Sequence, residues 1–299
     1  MRGPLNRGTS LQKICCNAPG KFNTGLSVSE RDRDMLDMAS SLPWWLPLSV
    51  LAWAVQMAVF HGVGLFFEWS SRTGMLASFR VRDIERLTYF QLLPRVLFNQ
   101  IFILLPAMVA FQYAGLAFTG APHLSAWHFV AGMLFMGVGH DIVQYVFHRF
   151  VLHRPGLIRK LGHSVHHSTG AAKSISACYM SPADFFLEIV LPYLVPLALI
   201  GAGADVSFHL VVASLGAFGG LYEHSGYDFA VPLARGNRSG SWLQPRAWLA
   251  AVVTSKAHGE HHRRSNVSFS DGFGSPGICD TIFKTRWDLA EAGRKAEDR

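Results

Sequence analysis

Two histidine triplets with the same spacing, HSVHH at 163–167 and HGEHH at 258–262, are the residues of this chain best suited to chemistry. In the pattern HxxHH the imidazoles fall at i, i+3 and i+4, so on a helix His163, His166 and His167 project from one face, and so do His258, His261 and His262. Neutral imidazole is the commonest protein ligand for a metal ion. Two such faces brought together offer six imidazoles, more than one first-row ion accepts with positions left open, so the count favours two metals. A single histidine among the 14 of this chain is most simply a core or interfacial residue, but a repeated HxxHH is not a consequence of composition.

Three more histidines can join them. His148 and His153 are five apart and do not share a face of an ideal helix, but Arg154-Pro155 should end the helix there, so the pair can converge across a helix end. Asp141, Tyr145 and His148 share one helical face, which makes Asp141 and Tyr145 candidates for orienting a ligand from behind. His140 has a similar possible role, while His61, His123, His128 and His209 read as core or interfacial residues. His224 becomes the ninth candidate ligand if the chain before it enters a membrane and returns.

The elements that must position these residues are membrane helices. Half of the chain is hydrophobic, 16% is charged and the mean hydropathy is +0.22. With histidine neutral, no charge occurs from Ala39 to Phe67 or from Val96 to His140. The first gap holds one span of roughly 20 residues and the second holds two. Spans are expected at about Leu46–Phe67, Val96–Phe118 and Ala126–Phe147, with Trp44, Trp45 and Trp69 as an interfacial belt. Ser181-Pro182-Ala183-Asp184 reads as a helix start. The apolar stretches from Glu188 to Asp205 and on to Tyr222 are each short for a span, but Gly201–Ala204 between them makes a helical hairpin. Residues Ala230–Ser241 read as a loop, and Trp242–Lys256 as an amphipathic helix on the membrane surface.

The Arg-bearing loop after the first span and the histidines fall on one side, which the positive-inside bias makes cytoplasmic, although the basic N-terminal tail pulls the other way. The net charge of +7 is spread over loops with no nucleic-acid motif, so anionic headgroups and not nucleic acid are the expected partner. Cys15, Cys16, Cys178 and Cys279 have neither CxxC spacing nor a disulfide framework and read as reduced thiols. Residues 1–38 read as a polar disordered tail, with a transit peptide as the alternative. Imidazole accepts iron and zinc alike, but no HExxH or serine elbow accompanies the clusters to support hydrolysis.

The succession HRFVLH, HSVHH, EHSGYDF and HGEHH, following paired spans, resembles the fatty acid hydroxylase and sterol desaturase superfamily of integral membrane di-iron enzymes. HSGYDF and RVLFNQ look most like its C4-methylsterol oxidase branch, although the connection from His224 to His258 looks longer and Cys279-Asp280 stands where Trp-Asp is usual. The resemblance implies an all-α membrane helical bundle with a histidine-rich di-metal site on its cytoplasmic face. Its regions would be membrane spans over residues 39–125, a catalytic region over 126–288 and a charged tail over 289–299. It implies that His148, His153, His163, His166, His167, His224, His258, His261 and His262 bind two iron ions. It also implies that dioxygen, with NAD(P)H electrons delivered through cytochrome b5 and its reductase or a ferredoxin, drives hydroxylation or desaturation of a lipid. The expected substrate is sterol-like, with an acyl chain or a terpenoid as alternatives, and the expected membrane is endoplasmic reticulum or bacterial inner membrane. Outside enzymes, a metal transporter would place its ligands near mid-span, and an inactive scaffold would be expected to lose some of them.

Overall fold

The computed structural model describes residues 46–83, 86–235, 245–270 and 277–290. The expected N-terminal tail, Cys15, Cys16, Trp44 and Trp45 lie outside them, and the described residues belong to one compact unit. Among the described residues there is no sheet, only an isolated bridge between Arg80 and Tyr227. Five helices are long and apolar enough to cross a membrane: α1 (Leu48–Thr73), α2 (Tyr89–Tyr113), α3 (Ala126–Leu152), α5 (Pro182–Ile200) and α6 (Val206–Glu223). Four short helices follow the spans in or near the site: α4 (His163–His167), α7 (Pro245–Val253), α8 (Lys256–Arg264) and α9 (Ile278–Ile282). Large apolar side chains such as Phe90, Trp127, Leu134 and Leu199 face outward, as lipid contact requires. The chain is a multi-pass membrane protein.

Local chemistry fixes where the spans begin. Ser125, Ser181 and Asp205 each accept a bond from the backbone N–H three residues on, and Thr88 with Gln91 closes a capping box at α2. The helix start read at Ser181-Pro182 and the hairpin after it are both present, with Gly201 in the left-handed conformation ending α5. Both arms of that hairpin reach span length, so the described residues hold five candidate spans where three and a hairpin are read from charge gaps. α2 starts seven residues before Val96 and takes Arg95 into the helix, where the guanidinium lies over the Tyr179 ring. Part of the segment expected to be a loop after Ala230 is helical, at Val231–Arg235, and the expected surface helix is α7.

Three spans contain a π turn, at Gln100–Leu104, His148–Leu152 and Phe186–Val190. The helix ends just before Arg154-Pro155, as expected, and the second π turn adds how His148 and His153 converge there. His153 N–H donates to His148 O at 2.9 Å, an i→i+5 bond, and the wider turn brings two residues five apart to the same side.

Close packing holds the spans in register. A Cβ on Gly139 would lie 2.7 Å from Pro196 Cβ, so only glycine lets α3 approach α5 there. The chain alternates direction through the spans. The described residues of the Arg-bearing loop after α1, residues 153–181 and the segment that begins at His224 therefore share one end. At the other end Ala204 N–H donates to Ala121 O, and Leu124 N–H to Asp205.

Candidate metal centre

The nine imidazoles meet at the first of these ends in two groups. His148, His153, His163, His167 and His261 form one, and His166, His224, His258 and His262 the other. Within each group the facing nitrogens all lie within 4.8 Å of one another, a spacing that nitrogen ligands about 2 Å from a shared ion would have. The HxxHH triplets are divided between the groups. α4 gives His163 and His167 to the first and His166 to the second, whereas α8 gives His258 and His262 to the second and His261 to the first. The π turn of α3 supplies His148 and His153, and the C-terminal end of α6 supplies His224.

The hydrogen positions these contacts require test whether the residues fit a metal. His148 Nδ1 donates to Phe269 O at 2.7 Å, His261 Nδ1 to Val267 O at 2.7 Å and His224 Nδ1 to Gly220 O at 2.8 Å. A carbonyl cannot donate, so each of these rings, when neutral, carries its lone pair on Nε2. His163 Nδ1 is bonded in the same way, to Asp184 Oδ1 at 2.9 Å. Yet the Nε2 atoms of the first group face one another at 2.9 to 3.2 Å. In the second group His224 Nε2 lies 3.1 Å from His166 Nε2 and 2.9 Å from His258 Nε2. Where both rings are fixed in this way, as in the His148–His163 contact, the lone pairs converge without a proton between them and repel, and a cation held there removes the repulsion. Both ring nitrogens of His262 and Nδ1 of His166 are buried without a hydrogen-bond partner among the described residues. The donor set fits two metal ions.

Burial favours the neutral form of seven of the nine rings, as ligation needs. Burial, reinforced by neighbouring imidazoles, pulls His153 and His167 down to about 2, and burial pulls His224 to about 4. Burial and adjacent rings likewise hold His166, His258, His261 and His262 well below the ordinary range.

Supporting residues complete the site. Asp184 and Glu188, on consecutive turns of α5, lie behind His163, with Glu188 Oε2 3.3 Å from its Nδ1. A carboxylate in this position fixes the tautomer and raises ligand basicity. Arg82 donates to three carbonyls, Ala171 O at 2.8 Å, Ser255 O at 3.0 Å and Glu223 O at 2.6 Å, so one guanidinium ties the Arg-bearing loop to the segments before His224 and His258. The glycine of HGEHH follows from this: a Cβ on Gly259 would lie 2.5 Å from Arg82 Nη1.

Asp141 and Tyr145 act at one remove from the imidazoles. Asp141 accepts from Ile278 and Cys279 N–H and so caps α9. The Tyr145 hydroxyl meets Arg149 and Thr285, and its ring stacks on Phe283. Asp280 accepts from Phe269 and Ser270 N–H, so these residues together brace the loop whose carbonyl holds His148. Cys178 and Cys279 are free and buried. Among the residues sequence reasoning missed, Glu188 carried a signal, an acid within an apolar helix. Arg82 carried none that separates it from the neighbouring arginines.

A cavity of about 270 Å³ runs from His148, His224 and His258 into the membrane-spanning region between α3, α5 and α6. Its wall is mainly apolar, with Met133, Met136, Ile189, Val212 and Leu215, and the Gly216, Gly219 and Gly220 face of α6 leaves it open.

A multi-pass helical protein with two buried histidine groups at the end of an apolar cavity defines a class of membrane metalloprotein. Comparison with known proteins narrows the class. The family model described as fatty acid hydroxylase matches residues 133–285, about half of the chain, and the chain belongs to that family. It is 25% identical over 232 residues to the fatty acid hydroxylase ahd1 of Mycosarcoma maydis, covering 75% of this chain and 53% of that protein. The chain thus spans about half the length of the curated relative it matches. No solved structure matches. Neither comparison distinguishes the C4-methylsterol oxidase branch.

Proposed function

We propose that this protein is a membrane-bound di-iron oxygenase that uses dioxygen and external reductant to oxidise a C–H bond of a lipid. The observation that carries the reading is the convergence of nine imidazoles in two groups where an apolar cavity ends. Iron bound there would supply the activation of dioxygen and the cleavage of an unactivated C–H bond, chemistry that side chains lack.

The chain's own residues do the rest. His163, His166 and His167 would hold both ions from one helix, and His258, His261 and His262 would hold them from another. Asp184 holds the His163 ring in the tautomer that presents Nε2. Met133, Met136, Val212 and Leu215 bind hydrocarbon and exclude water, while His148 and His224 mark the end at which a substrate carbon meets the site.

An acyl chain is the substrate class best matched to the cavity. Its volume of about 270 Å³ is less than twice that of a cavity of about 150 Å³ that accepts one benzene, which suits a single chain or a small ring system. The relative's name, a fatty acid hydroxylase, agrees. A sterol-like lipid remains the second reading, supported by the HSGYDF and RVLFNQ segments.

Electrons would come from NAD(P)H through a cytochrome b5 with its reductase or a ferredoxin. The clustering of Arg72, Arg80, Arg82, Arg86 and Arg95 near the histidine end supports a cytoplasmic site, in the endoplasmic reticulum or a bacterial inner membrane. The test is iron content per chain in detergent-purified protein, followed by one reductive turnover under isotope-labelled dioxygen with acyl lipids and sterols. About two irons and label in a lipid alcohol support the reading; a folded preparation without iron binding, or with no oxidised lipid, overturns it.

A further inference from the structure

Among the described residues outside the five spans, Ile282 and Phe283 at the end of α9 are the most exposed large apolar side chains, at 66% and 55%. Phe283 stacks on Tyr145 of α3 with ring centres 5.2 Å apart, and Phe150 meets the same Tyr145 ring edge-on at 6.0 Å. Phe150 ends a row with Val138, Ile142 and Val146, each one turn from the next and all exposed, which is a lipid-facing stripe of α3. The apolar end of α9 thus continues a surface that lipid covers. Depth agrees with this. A hydrocarbon core of about 30 Å takes about 20 residues of helix, so α3, with Trp127 at its far interface, leaves the core near Phe147. Tyr145 lies at that boundary, and Asp141, which caps α9 through Ile278 and Cys279 N–H, lies about two turns inside it. Cations flank the apolar pair: Arg149 lies over the Tyr145 and Phe150 rings, and Lys284 is exposed beside Phe283. Both can extend to anionic headgroups while their stems stay in apolar surroundings.

We infer that α9 is seated in the leaflet at the histidine end, with Ile282 and Phe283 among acyl chains just below the headgroups, and that this seat keeps the five-histidine group in shape. The line of contact is short. Asp280 of α9 accepts from Phe269 and Ser270 N–H through its carboxylate and from Thr285 N–H through its carbonyl, while Thr285 O accepts from Ser268 N–H. Residues 267–270 are pinned to α9 in this way. The Val267 and Phe269 carbonyls of that stretch fix the rings of His261 and His148. Both rings belong to the five-histidine group, whereas His224 of the other group is held by Gly220 O of its own helix. Lipid contact at α9 therefore bears mainly on one of the two metal positions.

The link to the metal rests on the reading of the histidines as ligands; the lipid contact does not. Metal-loaded protein in nanodiscs of phosphatidylcholine with a photoactivatable diazirine on its acyl chain is irradiated, and the labelled residues are mapped by mass spectrometry. Ile282 and Phe283 are expected to carry label to within about threefold of Val146 and Phe150, as residues of one apolar surface at the acyl boundary would. Label on Val146 and Phe150 with none on Ile282 and Phe283 overturns the inference and assigns the apolar pair to a protein partner or a second copy of the chain. Ile282→Asn tests the link, since it leaves the Tyr145–Phe283 stack in place. In the same nanodiscs it should speed release of one of the two ions to a chelator by about threefold to tenfold, a milder loss than removing a direct partner of a ligand. The other ion should be released as in the unsubstituted protein, and Ile282→Leu should restore both. Unchanged release of both ions in Ile282→Asn overturns the link, and so does equal acceleration in Ile282→Leu, which is a packing effect. If Ile282→Asn does not fold, the labelling of the unsubstituted protein still decides whether α9 is seated in lipid. Failure of the oxygenase reading registers separately, as absent iron binding or absent turnover, neither of which the labelling requires.

Discussion

The Nε2 atoms of His148 and His163 face each other at 3.1 Å, although the Nδ1 of each ring is already engaged, with Phe269 O and with Asp184. Two rings fixed in this way have, when neutral, no proton to share between their Nε2 atoms, which suits the contact to a cation. Asp184 is the part of the arrangement most open to a clean test. Asp184→Leu removes the acceptor behind His163 and should weaken binding of the ion in the five-histidine group by about 10- to 100-fold, the usual cost of losing such a partner. Chelator competition should show one ion released early and the other, held by His166, His224, His258 and His262, unaffected. Release of both ions together would sink the assignment of Asp184 to one group.

The neutral state of the rings sets a pH dependence. His153 and His167 are held to about 2 and His224 to about 4 in the folded chain, against about 6.5 for unfolded histidine. The unfolded chain therefore takes up protons that the folded chain refuses, and stability falls as pH drops. The contribution is complete above about pH 6.5, is lost for His224 down to about 4, and continues to be lost for the other two below that. Metal-free protein in detergent should show a falling Tm from pH 7 to pH 4.5, with metal binding weakening over the same window. A Tm independent of pH there would show that the rings titrate normally.

Arg82 links three parts of the chain that are distant in sequence, through Ala171 O, Ser255 O and Glu223 O. Arg82→Ala leaves those carbonyls without their charged donor and should cost about 3 kcal/mol. Because Glu223 precedes His224 and Ser255 precedes α8, the four-histidine group should lose its ion first. Gly259→Ala should reproduce the defect in milder form, since its Cβ would meet the guanidinium. Thermal unfolding with metal analysis of both variants checks this, and a Gly259→Ala protein with unsubstituted stability and both metals would contradict the wedge role of Arg82.

Much of this was legible in the residues. The doubled HxxHH, the helix start at Ser181-Pro182 and the hairpin around Gly201–Ala204 are written in local patterns that each follow from one turn of helix. The pairing of His148 with His153 was only partly legible, because a π turn is set by packing around the helix and not by a residue type within it. The division of each triplet between two groups was not legible either, since three imidazoles on one face say nothing of how a facing helix is rotated. Arg82 and Asp184 escaped for the same reason: their partners are backbone carbonyls and a ring brought close only by the tertiary fold.

The glycine face of α6 yields the last prediction. A Cβ on Gly216 would meet nothing within 4 Å, and this residue lines the cavity between the apolar wall and the histidines. Gly216→Leu therefore adds side-chain volume to open space without forcing the spans apart, and the helix itself gains from losing a glycine. Metal content and Tm should stay at or above those of the unsubstituted protein, since no ligand or capping residue is touched. Oxidation of a long-chain lipid should fall at least about tenfold, because a branched side chain occupies part of a cavity of only about 270 Å³ and pocket contacts of one or two methylenes already discriminate at that level. Shorter chains, which extend from the histidines without reaching back to Gly216, should be spared once bound. Should Gly216→Leu leave long and short chains equally active, the substrate does not reach the histidines by this route.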